Sequence, residues 1–285
     1  MKKIISVLLV LFVAGFVFAG GQQDTGMSNS SEVSFAGNYA FGGSTTVEPI
    51  IRAAAEAFTD MYPEVKISYD APGSSAGVRG PLEGTYSIGA ASRSLKASEI
   101  EAGAVATAIA KDGVAVIVNK GSVPFDNMSL EDVIAIFAGD VTNWNQIGGP
   151  DAPIVVFNRD EASGTRSCFD DATVKTMKKK FTDTAAIVTS NGDMVAKVGS
   201  TPFSIGYCGF GYIGKDAGSK DLTVDGIAPE PENVLNGSYA VSRELILITK
   251  GPVPAGTVEE AFINYILSAE GQSIVKEEDF IPMKN

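Results

Sequence analysis

The sequence predicts an α/β chain, and three observations support this. Short apolar or alternating runs, each about one strand long, take turns with segments whose apolar residues recur at helical spacing. Turns rich in glycine and hydroxyl residues mark the change from one to the other. No internal repeat or low-complexity segment interrupts the pattern, and the stretch of about 250 residues after position 32 is long enough for two small lobes.

Residues 1–19 carry two lysines, an apolar run from Ile4 to Phe18, and Val17-Phe18-Ala19 at a plausible cleavage point, so an export signal cut after Ala19 is expected. Residues 20–32 read as a flexible lead-in. The only cysteines are Cys168 and Cys208, so no lipid anchor on an N-terminal cysteine is expected, and the periplasm is the expected address. An oxidising compartment would permit those two to bridge; two buried thiols are the other reading.

The formal net charge of −12 becomes −14 once Lys2 and Lys3 are lost with the signal. Nucleic acid and acidic membrane surfaces are poor partners for such a chain. An anionic ligand would have to be held by short, local donors against the protein's own field. The sequence has no histidine, which removes histidine general bases, the usual serine triad and most zinc sites. No metal and no cofactor are expected.

Taken in order, Val33-Ser34-Phe35-Ala36-Gly37 reads as a first strand. Val47, Ile50, Ile51, Ala54, Phe58 and Met61 then recur at three- and four-residue steps, which predicts a helix with Pro49 in its first turn. Val65 to Tyr69 alternates as a strand and leads into the turn Pro72-Gly73-Ser74-Ser75-Ala76-Gly77; Tyr86 to Ala91 is a short strand ending in Ser92-Arg93. Val105–Ile109 and Gly113–Val118 read as two short apolar runs split by Lys111-Asp112-Gly113, where the chain is expected to cross between lobes. Ser129 opens a helix with Leu130, Val133, Ile134 and Phe137 inward and Gly139 as its stop. In the turn-rich connector that follows, Trp144 is expected to be a packing anchor rather than a ligand platform.

Ile154-Val155-Val156-Phe157 reads as a buried strand. After it come the turn Arg159-Asp160-Glu161-Ala162-Ser163-Gly164-Thr165-Arg166 and a helix read through Phe169 to Phe181, with Lys178-Lys179-Lys180 as its solvated end. Ser204 to Ile213 alternates apolar residues with glycine, as a strand with close backbone packing would. Ser242 to Thr249 is expected to cross back, and Val258 to Leu267 to form a final helix. The lobes this gives are 33–112 with 245–285, and 113–244.

Four turns share one chemistry: Ser44-Thr45-Thr46, Ser74-Ser75, Ser92-Arg93, and Arg159 with Ser163-Gly164-Thr165. Each ends a strand, and in open α/β sheets ligands sit at strand ends. Ser163 is a good N-cap, Gly164 lets backbone approach a ligand, and the first-turn amides have no intrahelical partner, so together they can form an anion socket. Arg159 adds a planar fork of donors suited to an oxyanion edge.

With these motifs in this order, the chain from Ser34 to Asn285 resembles the periplasmic phosphate-binding proteins that deliver phosphate to ATP-driven (ABC) importers. The carriers are Gly43 to Pro49, Gly73 to Gly77, Ala91-Ser92-Arg93, Asn143 to Pro150, and Arg159 to Arg166. The resemblance implies a two-lobed periplasmic-binding-protein fold, type II-like, each lobe a mixed sheet flanked by helices, closing on a ligand cleft. It implies no catalysis, inorganic phosphate and the importer's membrane subunits as partners, and a monomer. Ser44, Thr45, Thr46, Ser74, Ser75, Ser92, Arg93, Arg159, Ser163, Gly164 and Thr165 would form the phosphate site.

One departure stands out. Many members of that family have an aspartate where Arg93 stands, which accepts a hydrogen bond from protonated phosphate and excludes sulfate. Arg93 is free to bind the anion or to pair with an acid. The other readings are a binder of another oxyanion such as sulfate or molybdate, a phosphate sensor, or a secreted phosphatase working through Ser74, Ser163 or Thr45. The last would need a base or metal to activate the hydroxyl, and the sequence offers neither.

Overall fold

A computed structural model describes residues 34–283, so the expected signal segment, the expected lead-in and Val33 lie outside the described residues. The chain opens with strand β1 (Gly37–Gly43), helix α1 (Glu48–Met61), β2 (Val65–Asp70), α2 (Ser74–Glu83), β3 (Ile88–Ala91) and the short α3 (Ala97–Glu101). These three strands lie parallel in the order β2-β1-β3. The first strand thus begins at Gly37 and runs through Phe41, later than the alternation suggested. Phe41 is buried with Ile50, Ile51, Phe58 and Phe262, and that packing decides the register.

Strand β4 (Ala104–Asn119) is one continuous strand, not two runs with a break at Lys111-Asp112-Gly113. The charges are accommodated because each meets an opposite charge on β11 (Ser242–Lys250), where Lys111 pairs in register with Glu244 and Asp112 with Arg243. A bulge between Leu245 and Ile246 lets β11 follow the bend.

Between β4 and β11 lie β5 (Asn127–Met128), α4 (Leu130–Ala138), β6 (Val155–Arg159), α5 (Gly164–Ala172), β7 (Ala186–Val188), α6 (Asn191–Ser200), β8 (Ser204–Gly209), β9 (Ser219–Asp221), β10 (Thr223–Val224) and α7 (Pro231–Leu235). After β11 come α8 (Val258–Leu267), α9 (Ala269–Glu277) and β12 (Ile281–Pro282). The ten-stranded mixed sheet runs β2-β1-β3-β11-β4-β8-β6-β7, with β9 and β12 also on β4.

Two large apolar clusters flank this crossing. One joins Phe41, Ile50, Phe58, Leu247, Phe262 and Ile266. The other joins Val116, Phe137, Trp144, Phe169, Ile205 and Tyr207. Trp144 is fully buried, as expected of a packing anchor, and its indole donates to the Phe203 carbonyl at 3.0 Å.

The helix after the Arg159 turn is shorter than its sequence suggested. α5 ends at Ala172, a single 3-10 turn spans Val174–Met177, and Lys178 sits at φ 57°, so the lysine run lies beyond a broken helix rather than at the end of a long one. Thr173 is the break, its hydroxyl turned back onto the Phe169 carbonyl. Likewise, the strand read from Ser204 stops at Gly209, where Phe210–Tyr212 turn into a 3-10 segment. No described helix is long and apolar enough to cross a membrane.

Trp144→Ala is expected to lower the unfolding free energy by about 3–5 kcal/mol, the usual cost of emptying a buried aromatic site. Urea unfolding followed by circular dichroism checks this, since Trp144 is the sole tryptophan.

Candidate functional site

The ends of β1, β2 and β3 are tied together by backbone. The Gly73 amide donates to the Gly43 carbonyl at 2.8 Å, and the Ser44 amide donates to the Ala90 carbonyl at 2.9 Å. This places Ser44, Thr45 and Thr46, Ser74, and Ser92 side by side, all buried. The Ser44 hydroxyl donates to Ser92 Oγ at 3.0 Å, and Ser74 Oγ lies 3.3 Å from Ser92 Oγ.

The turn after β6 meets them from the other side. The Ser75 amide donates to the Ala162 carbonyl at 3.1 Å, and Thr165 Oγ1 lies 3.0 Å from Thr46 Oγ1. Ser163 caps α5 by accepting from the Arg166 amide at 3.1 Å. The amides of Gly164 and Thr165, first in the helix, have no carbonyl to reach within it. Residue 164 must be glycine, because a Cβ there would run into Ser74 Oγ and lie 2.7 Å from Ser92 Oγ. Helix start and serine hydroxyls therefore face one another directly.

Arg159 is 1% exposed. Its Nε donates to the Val188 carbonyl at 3.2 Å, and its Nη2 donates to the Thr189 carbonyl at 2.8 Å and Thr45 Oγ1 at 3.4 Å. Among the described residues, its Nη1 is the one buried side-chain nitrogen or oxygen without a hydrogen-bond partner, and no carboxylate lies within ion-pair distance of this guanidinium. Burial lowers its pKa from the usual arginine range, yet an arginine remains a cation.

Two further side chains complete the cluster that sequence reading passed over. Asn191, the first residue of α6, is fully buried and donates from Nδ2 to both Thr45 Oγ1 (3.1 Å) and Thr46 Oγ1 (2.9 Å). The signal was faint: a polar residue after the cap Ser190. Arg243 reaches Thr46 Oγ1 at 3.3 Å and the Ser92 carbonyl at 3.1 Å, held by Asp112 through Nε at 3.0 Å and Nη2 at 2.7 Å. Here a signal existed, since opposite charges stood at the two expected crossings. Burial raises the Asp112 carboxyl pKa, and the Arg243 guanidinium and the Phe210 and Gly113 amides pull it back. Tyr212 also touches the site, its hydroxyl donating to the Thr45 carbonyl at 2.7 Å.

Ser44, Thr45, Thr46, Ser74, Ser92, Arg159, Gly164 and Thr165 are thus brought together, with Ser163 as the helix cap. Ser75 takes part through its backbone at the margin. Arg93 points elsewhere: its guanidinium makes a two-pronged pair with Glu99 at 2.7 and 2.9 Å and donates to the Ser94 carbonyl at 2.9 Å. The expectation that Arg93 faces the anion is corrected, because α3 carries Glu99 to within reach of it. Burial alone would raise the Glu99 carboxyl pKa, but Arg93 and the Lys96 amide hold it below the ordinary value of 4.5. Cys168 and Cys208 are both free thiols.

Chemically, this is a buried array of hydrogen-bond donors around a cation that makes no ion pair. The described residues hold no cluster of metal-binding side chains. Nothing in the array activates a hydroxyl as a nucleophile.

Residues 30–270 match the family model described as the PBP superfamily domain. The chain is 33% identical to a phosphate-binding protein PstS of Borreliella burgdorferi, with all of both chains covered, and 32% identical to that of Bacillus subtilis, covering 99% of this chain and 95% of the relative. Among solved structures, a substrate-binding protein from Clostridium perfringens with bound phosphate is similar at TM-score 0.80 and 38% identity, covering 87% of this chain and 100% of that one. An ABC-type phosphate transport receptor from Vibrio cholerae is similar at TM-score 0.71 and 28% identity, covering 85% and 99%.

Asp112→Ala is expected to cost about 3–5 kcal/mol in urea unfolding at neutral pH, because it strands the Arg243 cation in the interior. Glu99, with its pKa lowered by folding, contributes stability that is complete above the unfolded value of 4.5 and is lost as pH falls through the lower folded one. Glu99→Gln is therefore expected to flatten the acid limb of the stability profile below about pH 4.5 relative to the parent.

Proposed function

The chain belongs to the PBP superfamily, among the phosphate-binding proteins PstS, and on that premise we propose that it captures inorganic phosphate in the buried donor array and hands it to an ABC-type importer. It is a binding protein and not an enzyme. The observation that carries the reading is Arg159, a buried guanidinium with no carboxylate and with Nη1 free, beside the bare first amides of α5. A buried cation left so is costly, and a tetrahedral oxyanion offsets it.

In this reading phosphate sits between the start of α5 and the hydroxyls of Thr45, Thr46, Ser74 and Ser92. Arg159 Nη1 and the Gly164 and Thr165 amides donate to it, Thr165 adds a hydroxyl, and Asn191 and Arg243 orient the threonines. The lobes are residues 34–112 with 245–283, and 113–244, turning about β4 and β11 where these strands cross. Thr45 and Thr46 then belong to one lobe, and Arg159, Thr165, Asn191 and Tyr212 to the other, so the bonds between them form on closure. The protein acts outside the cytoplasmic membrane as a monomer, and its net charge of −12 gives approaching phosphate no long-range help.

Calorimetric titration with phosphate of the protein stripped of bound anion tests this. Arg159→Gln is expected to weaken binding by about ten- to a hundredfold, the value of charge-assisted bonds to a buried ion. Arg93→Gln, which touches only the Glu99 pair and a backbone carbonyl, is expected to stay within about threefold of the parent. Silence of the parent toward phosphate would sink the proposal.

A further inference from the structure

Two tyrosine hydroxyls hold consecutive carbonyls of the turn that carries Ser44, Thr45 and Thr46. Tyr69 Oη, near the end of β2, donates to the Ser44 carbonyl at 2.8 Å. Tyr212 Oη donates to the Thr45 carbonyl at 2.7 Å. In the proposed division into lobes, the first bond lies within one lobe. The second runs between them, since Thr45 follows β1 and Tyr212 follows β8.

Tyr212 is set in place by the corner at the end of β8. The Gly209 amide donates to Asn191 Oδ1 at 3.2 Å and the Phe210 amide to Asp112 Oδ1 at 3.0 Å, after which Phe210–Tyr212 form one 3-10 turn. A Cβ on residue 209 would lie only 3.0 Å from both Thr46 Cγ2 and Asp112 Oδ2, so this corner is seated directly against the turn that it faces. The same Gly209 amide holds Asn191 with its Nδ2 toward the hydroxyls of Thr45 and Thr46.

Tyr212 has no proton left for an anion. Its single one is spent on the Thr45 carbonyl, and burial raises its pKa above the ordinary tyrosine value, so the proton is kept. What the hydroxyl holds is a peptide plane. The Thr45 carbonyl and the Thr46 amide belong to one rigid unit, and that amide donates to Ser44 Oγ at 3.1 Å. With Tyr212 at one edge and Ser44 at the other, the plane cannot turn, and the two threonine side chains at its ends keep their directions.

We propose that Tyr212 is a positioning residue that acts only in the closed protein: it locks the Thr45–Thr46 peptide from across the cleft and so lengthens the stay of phosphate without touching it. This rests on the phosphate reading and its division into lobes. Tyr69, which reaches the Ser44 carbonyl from the same lobe, makes its bond whether the lobes are apart or together. The two tyrosines therefore separate under mutation, although each makes one bond to the same turn.

Tyr212→Phe and Tyr69→Phe each delete one hydroxyl and keep the ring. The purified, anion-stripped proteins are titrated with phosphate by calorimetry, the release of phosphate is followed by exchange of radiolabelled phosphate, and the urea midpoint is measured without anion. Tyr212→Phe is expected to weaken phosphate binding by about three- to tenfold, the worth of one neutral hydrogen bond. The loss is expected in the dissociation rate, because the bond forms after encounter. Its anion-free urea midpoint is expected to match the parent, whereas Tyr69→Phe lowers it. A Tyr212→Phe protein that binds phosphate as tightly as the parent overturns the proposal. So does one whose anion-free midpoint falls as far as that of Tyr69→Phe, since the hydroxyl then only supports the packing, and so does a loss confined to the association rate. A parent that binds no phosphate overturns the phosphate reading instead.

Discussion

A guanidinium buried without a carboxylate is the constraint on which the rest of the site depends. Arg159 enters the interior at the end of β6, where the carbonyls of Val188 and Thr189 take up part of its hydrogen-bonding capacity and one nitrogen is left over. Carbonyl dipoles orient a cation but do not neutralise it. In the proposed function the anion supplies the counter-charge, and the elements around Arg159 present groups that favour one: an N-terminal helix turn, hydroxyls, and an asparagine that donates to two of those hydroxyls.

The second arginine is treated in the opposite way. Arg243 is held by Asp112, a pair of nearly zero net charge, and it serves as a rigid strut rather than a free charge. Its position matters because Asp112 lies on β4 and Arg243 opposite it on β11, the two strands that cross between the apolar clusters. From there Arg243 bonds Ser92 and Thr46, while Asp112 bonds the Phe210 amide. The strand crossing and the hydroxyls of the site are thus one hydrogen-bonded assembly. The two arginines share a residue type and differ in function because only one has been given a carboxylate.

Donors rather than field strength do the work in a protein of this charge. With a net charge of −12, attraction at long range is absent, and Lys175 and Lys179 are spent on surface pairs with Asp171 and Asp140. What remains is short-range: hydrogen-bond donors that the fold itself holds in place. In the proposed function this arrangement suits capture by closure, with the threonines on one lobe and Arg159, Thr165 and Asn191 on the other.

Much was legible in the sequence because it is local. The alternation of strands and helices, the capped start of α5, the buried Trp144 anchor and the placing of four hydroxyl turns at strand ends all follow from patterns a few residues long. What the tertiary structure alone decided concerns partners far apart in the chain. Arg93 finds Glu99 because α3 folds back on it. Asp112 stays inside an unbroken strand because Arg243, 131 residues away, lies opposite it. Asn191 becomes part of the site because α6 is carried under Thr45 and Thr46. Sequence periodicity reports which face of an element is buried, but whether a buried charge is paired or left free depends on which element packs against it, and that is settled only when the chain has closed on itself.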